Sequence, residues 1–197
     1  MRKKPAPSGQ KISTKPYWIT RKDQITCLAS AVRLDILDHL VGAGPMSIKE
    51  LAYEIGMKPS ALYHHFAQLQ EVDLIFESGT RIVNRKSEKL YATPSRKMRL
   101  LKALGDPSHA EEMQLIVSAL ARRIDREFAD GLDNEDRKTS GVGRNLGFYR
   151  AMNRPSKATL REINKKLDEI ADLLWEEKDP NQPMISLSWV MAPLETD

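Results

Sequence analysis

The feature that most constrains this chain is the segment 47–66, which carries the start and stop signals of two short helices. Ser47 and Glu50 have the spacing of a capping box, in which each side chain accepts a hydrogen bond from the other residue's amide. Gly56 predicts the end of the first helix, because glycine readily adopts the left-handed conformation of a sharp turn. Pro59 predicts the start of the second helix, because its missing amide would have no partner there.

The predicted second helix has two different faces. Its spacing predicts that Leu62, Phe66 and Leu69 point towards a core. The opposite face carries small and hydrogen-bonding side chains, which suit the reading of base edges in a DNA major groove. An ordinary helical hairpin inside a core would show the same apolar spacing, so this segment alone leaves both interpretations open. The candidate base-contacting residues are Ser60, Ala61, Tyr63, His64 and Gln68.

The chain after the second helix predicts a β-hairpin. Residues 74–77 and 81–83 are rich in β-forming side chains, residues 88–93 alternate apolar with polar, and the polar residues 84–87 lie between them. Cations on the tip and flanks suit contacts with DNA phosphates, which contribute affinity but carry no sequence information. A charged hairpin can also be merely solvated. The candidate phosphate-contacting residues are Lys58 at the start of the second helix and Arg81, Arg85, Lys86 and Lys89 of the hairpin.

The two helices resemble the helix-turn-helix of bacterial repressors. Ala52, Gly56 and Leu62 stand at the fifth, ninth and fifteenth positions counted from Ile48, as in that motif. Over residues 24–93 the chain also resembles the winged-helix domain of the arsenic-repressor (ArsR-like) family, with LASAVRLDILDHLV as its leading helix and the hairpin as its wing. The resemblance implies a dimeric, DNA-binding transcriptional regulator.

Two residues bear on metal binding in this comparison. His65 matches a histidine common in the ArsR-like family, and we expect it to be partly buried rather than a ligand. Many metal-sensing members have paired cysteines in or near the reading helix, whereas this chain has only Cys27. We therefore expect no metal site of that kind and no other cofactor.

Three other interpretations compete with a winged-helix regulator. The stretch ALYHHF also resembles the tetracycline-repressor family, but that family continues into a further helix where this chain has Ser78, Gly79 and Thr80. A winged helix can instead be a protein–protein interaction adaptor, because fold does not fix function. An enzyme is not predicted, because the acidic groups at 125–127 and 133–136 lie on a polar helix face or loop and are typical of solvated carboxylates.

Composition indicates where the protein acts. The single cysteine excludes an internal disulfide and is typical of a reducing compartment. No apolar run approaches the ~20 residues that span a membrane, and the basic N-terminus lacks the apolar core of a secretion signal. We expect a cytoplasmic, nucleoid-associated protein without a membrane partner. Residues 1–23 are basic and rich in proline, and predict a disordered arm that either contacts DNA or only keeps the chain soluble.

Residues 96–197 predict a C-terminal module for dimerisation or effector sensing. A long helix is expected from about Ser108 and another from about Ser156, and residues 185–191 alternate like a strand, with residues 146–152 as an antiparallel neighbour. Aromatic residues of the module line either its core or a pocket for a small-molecule effector: Phe148, Tyr149, Trp175 and Trp189. The apolar residues of the second helix recur at alternating steps of three and four, a seam for packing within the chain or between copies: Leu160, Ile163, Leu167, Ile170 and Leu174.

The sequence therefore predicts a mainly α fold with a small β component (α+β). A winged helix-turn-helix domain occupies residues 24–95, and the C-terminal module has two long helices and a short antiparallel sheet. We expect a homodimer that binds double-stranded DNA at an inverted repeat, with its two reading helices about 34 Å apart in successive major grooves.

Overall fold

The computed structural model describes residues 11–176, 179 and 182–194. The fold is mainly helical with a small β component, and short 3-10 helices at Leu101–Gly105 and Pro107–His109 precede the fifth α-helix. One compact unit ends at Leu120 and a second begins at Ala121. The elements are β1 (Tyr17–Trp18), α1 (Lys22–Leu28), α2 (Ala31–Ala43), α3 (Ile48–Glu54), α4 (Pro59–Glu71), β2 (Phe76–Val83), β3 (Lys86–Ala92), β4 (Met98–Arg99), α5 (Ala110–Asp133) and α6 (Lys157–Glu176).

Helices α3 and α4 begin and end where the sequence predicts. The Ser47 hydroxyl accepts from the Glu50 amide at 3.3 Å, and the Glu50 carboxylate accepts from the Ser47 amide at 2.9 Å. After α3, Gly56 has a φ of +66°. The Met57 amide donates to the Ala52 carbonyl and the Gly56 amide to the Tyr53 carbonyl, the two bonds of a Schellman motif. The predicted tight turn between the helices is confirmed.

The apolar face of α4 lies in the core of the first unit. Leu62 and Leu69 are fully buried and Phe66 is nearly so, which confirms the predicted core side of this helix. The Phe66 ring contacts Tyr91 of β3 edge to face, with 4.8 Å between the ring centroids. Because the opposite face of α4 is exposed, the two helices are not a hairpin enclosed within a core.

Strands β2 and β3 form the predicted antiparallel hairpin directly after α4. They are joined by Asn84 and Arg85, whose φ angles of +49° and +62° define a type I′ turn. This turn is shorter than the predicted 84–87, because the strands pair up to Val83 and Lys86.

The predicted leading helix, residues 28–41, corresponds to α2, which begins only at Ala31 because Ser30 adopts an extended conformation. A separate helix that was not predicted, α1, precedes it and ends at Leu28. The Arg33 side chain donates to the Cys27 carbonyl near the end of α1 and so satisfies part of the helix end.

The predicted arm is described only in part: residues 1–10 lie outside the described chain, and residues 11–23 contain β1 and the start of α1. The Tyr17 amide donates to the Lys97 carbonyl and the Ile19 amide to the Arg99 carbonyl, both at 2.9 Å, and β1 thereby pairs with β4 in parallel. These bonds give the segment backbone partners that its composition does not reveal. They also explain why the first compact unit extends past residue 95.

The second unit contains the end of α5 and the whole of α6. At the start of α6, the Thr159 amide donates to the Ser156 hydroxyl at 3.1 Å. The predicted sheet is wrong, since residues 146–152 and 185–191, all described, form no strand. Alternation permits a strand, but a strand also needs a partner for its backbone groups, and these segments do not pair. Among the described helices, none combines the length and apolarity needed to cross a membrane.

Candidate nucleic-acid interface

The outward face of α4 is open to solvent. Ser60, Ala61 and His64 are exposed, and Tyr63 keeps 61% of its surface accessible. These side chains lie on the first two turns of α4, opposite the buried Leu62. Small, hydroxyl and imidazole groups in this position can approach an extended partner without disturbing the core.

Two predicted residues on α4 are engaged within the domain. Gln68 is half-buried, and its side-chain oxygen accepts a hydrogen bond from Arg33 at 2.7 Å, which ties α4 to α2. His65 is half-buried, as expected. Burial, with the nearby charges of Arg33 and His64, lowers the pKa of His65 and favours its neutral form.

A network of ion pairs fastens the hairpin to α3. Arg81 of β2 lies 2.6 Å from Glu50 and 3.8 Å from Glu88. Glu88 of β3 in turn lies 2.6 Å from Lys49 of α3, and its side chain is only 13% exposed. Arg81 was a candidate phosphate contact, but in this structure it fixes the hairpin against the helix.

The network keeps its carboxylates ionised. The hydrogen bond from Lys49 is the largest cause that lowers the pKa of Glu88. Burial alone would raise the pKa of Glu50, but hydrogen bonds from Ser47 and Arg81 outweigh it and leave that pKa below its usual value. The same glutamate therefore caps α3 and holds the hairpin.

The cations nearest the hairpin tip remain available. Lys89 is paired with Glu77 at 2.7 Å. Arg85 and Lys86 at the turn, and Lys58 at the start of α4, are exposed, and none has an ion-pair partner in the part of the chain that the structure describes. Of the five predicted phosphate contacts, these three are the free ones.

Lys49 belongs to this surface although sequence reasoning did not single it out. The Glu88 hydrogen bond is the largest cause that raises the pKa of Lys49. Lys49 thus joins α3 to the hairpin through Glu88. Its signal in the sequence was weak, because an isolated lysine in a first helical turn is common on any surface.

Large apolar side chains also lie exposed on α3 and on the hairpin. Tyr53 at the end of α3 is 83% exposed, and Ile82 of β2 is 79% exposed. Neither contributes to the core, so both are available to a partner.

The predicted residues of the second unit are not in a core. No residue of α6 is buried in the described chain, and four of its five seam residues are 38–46% exposed. Phe148 contacts Phe128 edge to face, with 6.0 Å between centroids, yet Phe148, Tyr149 and Trp189 remain exposed. The described residues of this unit therefore do not enclose these aromatic side chains in a pocket.

No group of three or more histidine, cysteine, aspartate or glutamate side chains that could hold a metal ion occurs among the described residues.

Comparison with known proteins is consistent with this geometry. No match was found among curated proteins. Residues 28–75 match a family model described as a helix-turn-helix domain, a range that ends just after α4 and includes α2 and α3. The match supports a DNA-binding regulator of the helix-turn-helix class.

Proposed function

We propose that this protein is a sequence-specific transcriptional regulator with a winged helix-turn-helix domain of the ArsR-like type. The observation that carries the proposal is the division of α4, which buries Leu62, Phe66 and Leu69 while it leaves Tyr63 and His64 exposed. Because one face of α4 packs against the core, its opposite face can enter a major groove while the helix keeps its position in the domain. The hairpin after α4 is the wing, and it occupies the place where a tetracycline-repressor-like chain would continue into a further helix.

The candidate residues divide into three roles. Ser60, Ala61, Tyr63 and His64 contact base edges, where hydrogen-bonding groups discriminate among base pairs. Lys58, Arg85 and Lys86 contact phosphates, a role that their exposure and the lack of an ion-pair partner among the described residues support. Positioning is the role of Arg81 and Lys89, which hold the hairpin, and of Gln68, which anchors α4 to Arg33.

The regulator acts as a homodimer on an inverted repeat. A two-fold axis presents two copies of α4 to successive major grooves. The exposed apolar seam of α6 supports this assembly, because a second copy would remove those side chains from water. Signal sensing by the C-terminal unit would then act on the spacing between the two reading helices.

Selection of bound fragments from a random duplex library tests this function. We expect enrichment of a palindrome whose half-sites lie one helical turn apart, about 10 base pairs. Enrichment of a single unrepeated half-site would exclude the symmetric dimer but would still support sequence-specific DNA binding. A library that shows no enriched sequence would exclude sequence-specific binding.

A protein–protein adaptor is the second candidate, and the exposure of Tyr53 and Ile82 favours it. Apolar and aromatic side chains on a surface are typical of protein interfaces. Affinity for random duplex at several salt concentrations separates the two functions. A DNA binder shows a steep negative log–log slope, whereas an adaptor shows almost none.

A further inference from the structure

A second basic surface is formed by residues outside α4 and the tip of the hairpin. It consists of residues 11–20 and 92–105, which we call the basic strap. The Ser13 amide donates to the Pro94 carbonyl at 2.9 Å, and the Arg96 amide donates to the Ser13 carbonyl at 3.1 Å. The buried Ser95 donates its hydroxyl to the Lys15 carbonyl at 2.6 Å. Two segments that are far apart in sequence are thus held side by side.

The strap is strongly positive. It contains no aspartate or glutamate, and its positive charge exceeds the net charge of +4 of the whole chain. The rest of the chain therefore carries a small negative charge. The cations of the strap are Lys11, Lys15, Arg96, Lys97, Arg99 and Lys102.

The strap presents part of this charge to solvent. Lys11, Lys15 and Arg96 are exposed, and these three have no ion-pair partner among the described residues. Because the strap is held through backbone atoms and Ser95, these side chains are not needed for its structure. Lys102 lies over the Trp18 ring, with 4.3 Å from Nζ to the ring centroid, which keeps another cation at the surface.

The strap lies far from the hairpin tip. Strand β3 separates them, and its seven residues span roughly 24 Å at about 3.4 Å per residue. Charges that far apart cannot bind the same phosphate. A basic surface in the same compact unit as a helix-turn-helix is suited to the DNA on which that motif sits.

We propose that the basic strap binds phosphates of the duplex that flanks the sequence read by α4. This inference rests on the proposed DNA-binding function and extends its footprint. The strap contributes affinity without sequence preference, because phosphates are the same at every base pair.

Binding to two duplexes tests the strap. The core duplex contains only the selected operator, and the extended duplex adds about 10 base pairs, one helical turn, on each side. The variant Lys11→Gln/Lys15→Gln/Arg96→Gln removes three exposed charges. A control, Arg150→Gln/Arg154→Gln/Lys157→Gln, removes three exposed charges from the second unit. Fluorescence anisotropy at several salt concentrations gives the affinity and the salt slope of each protein.

We expect the unmodified protein to bind the extended duplex more tightly than the core duplex. The strap variant should lose about tenfold on the extended duplex alone, with a salt slope shallower by about 0.9 for each lost phosphate contact. The control should behave like the unmodified protein. Equal binding of both duplexes by the unmodified protein, or an equal loss on both duplexes by the strap variant, would overturn the proposal.

The same measurements separate this proposal from the function on which it rests. If the protein prefers the operator over a scrambled core but the strap variant binds like the unmodified protein, the proposed function stands and the strap proposal is wrong. If the protein does not distinguish the operator from the scrambled core, the proposed function itself is wrong. Vesicles of phosphatidylglycerol and phosphatidylcholine test the other source of phosphate groups. If the strap variant binds these vesicles more weakly, while the flanking base pairs do not affect DNA binding, the assignment of the strap to DNA is wrong.

Discussion

Helices α4 and α6 are both amphipathic, but the described residues cover the apolar face of α4 alone. Leu62, Phe66 and Leu69 of α4 are buried, whereas α6 has no buried residue although its apolar seam is as regular. The first unit thus builds a core from its own elements, and the apolar face of α6 remains half-exposed within the described chain. Periodicity therefore identifies which face of a helix is apolar, but it does not identify what covers that face.

The same leucine-to-alanine substitution should change the free energy of unfolding very differently in α4 and in α6. Leu62→Ala should lower the free energy of unfolding by about 2–5 kcal/mol, because it opens a cavity in a closed core. Leu167→Ala should cost less than about 1 kcal/mol at a protein concentration low enough to keep the chain monomeric, and more where the proposed dimer covers the seam. Urea unfolding at two protein concentrations measures both. A cost for Leu167→Ala that stays small at the higher concentration would contradict a dimer through this seam.

The next effect concerns DNA and should be confined to the first unit. His64→Ala should cost about 1–3 kcal/mol at one base pair and relax specificity there, because a base-edge contact is lost. Lys86→Ala should weaken binding to every sequence and reduce the salt slope by about 1. Lys157→Ala, on α6, serves as the control and should change neither quantity. Unchanged DNA binding in both His64→Ala and Lys86→Ala would contradict the site assignment.

A smaller effect compares two glycines with positive φ. Gly56→Ala should destabilise the protein by about 1–2 kcal/mol, because a side chain disfavours the left-handed conformation that ends α3. An added Cβ would meet no atom within 4 Å at Gly56 or at Gly141, so the comparison isolates backbone strain. Gly141→Ala should cost less, because its exposed loop can readjust. Thermal unfolding of both variants measures the difference, and equal losses would contradict the idea that the turn is the more constrained site.

The smallest expected effect is the acid sensitivity of the hairpin. Glu50 and Glu88 have pKa values below the ordinary 4.5, so their contribution to stability is complete above about pH 4.5 and is lost as the pH falls through the lowered pKa values. Glu88→Gln should therefore flatten the decline of stability below pH 4.5. Chemical denaturation between pH 3 and 6 measures the two curves. Parallel curves would show that the ion pairs of Glu88 contribute little to the hairpin.

The helix-turn-helix could be predicted from sequence because its signals are local. Ser47, Gly56 and Pro59 each act on backbone groups within a few residues, and the structure follows them. The exposed face of α4 follows from the position of Leu62 and Phe66 on the opposite side. The hairpin was predictable for the same reason, since polar residues interrupt two runs of β-forming side chains.

Long-range partners could not be predicted. The hydrogen bond between the Ser95 hydroxyl and the Lys15 carbonyl joins residues 80 positions apart, and no pattern in either segment predicts it. The ion pair between Arg81 and Glu50 likewise joins the hairpin to α3, and no local pattern in either segment predicts it. The strand predicted at residues 185–191 is the reverse case. The alternating pattern of a strand is present there, but no described segment pairs with it.

The left-handed backbone at the tip of the hairpin has a consequence for the proposed function. Arg85 occupies a left-handed position where glycine would be relaxed, and an L-residue there costs roughly 1–2 kcal/mol. Glycine at this point would make a more stable hairpin that lacks a guanidinium at its extremity. The guanidinium therefore comes with a strained backbone, which the proposed phosphate contact would account for.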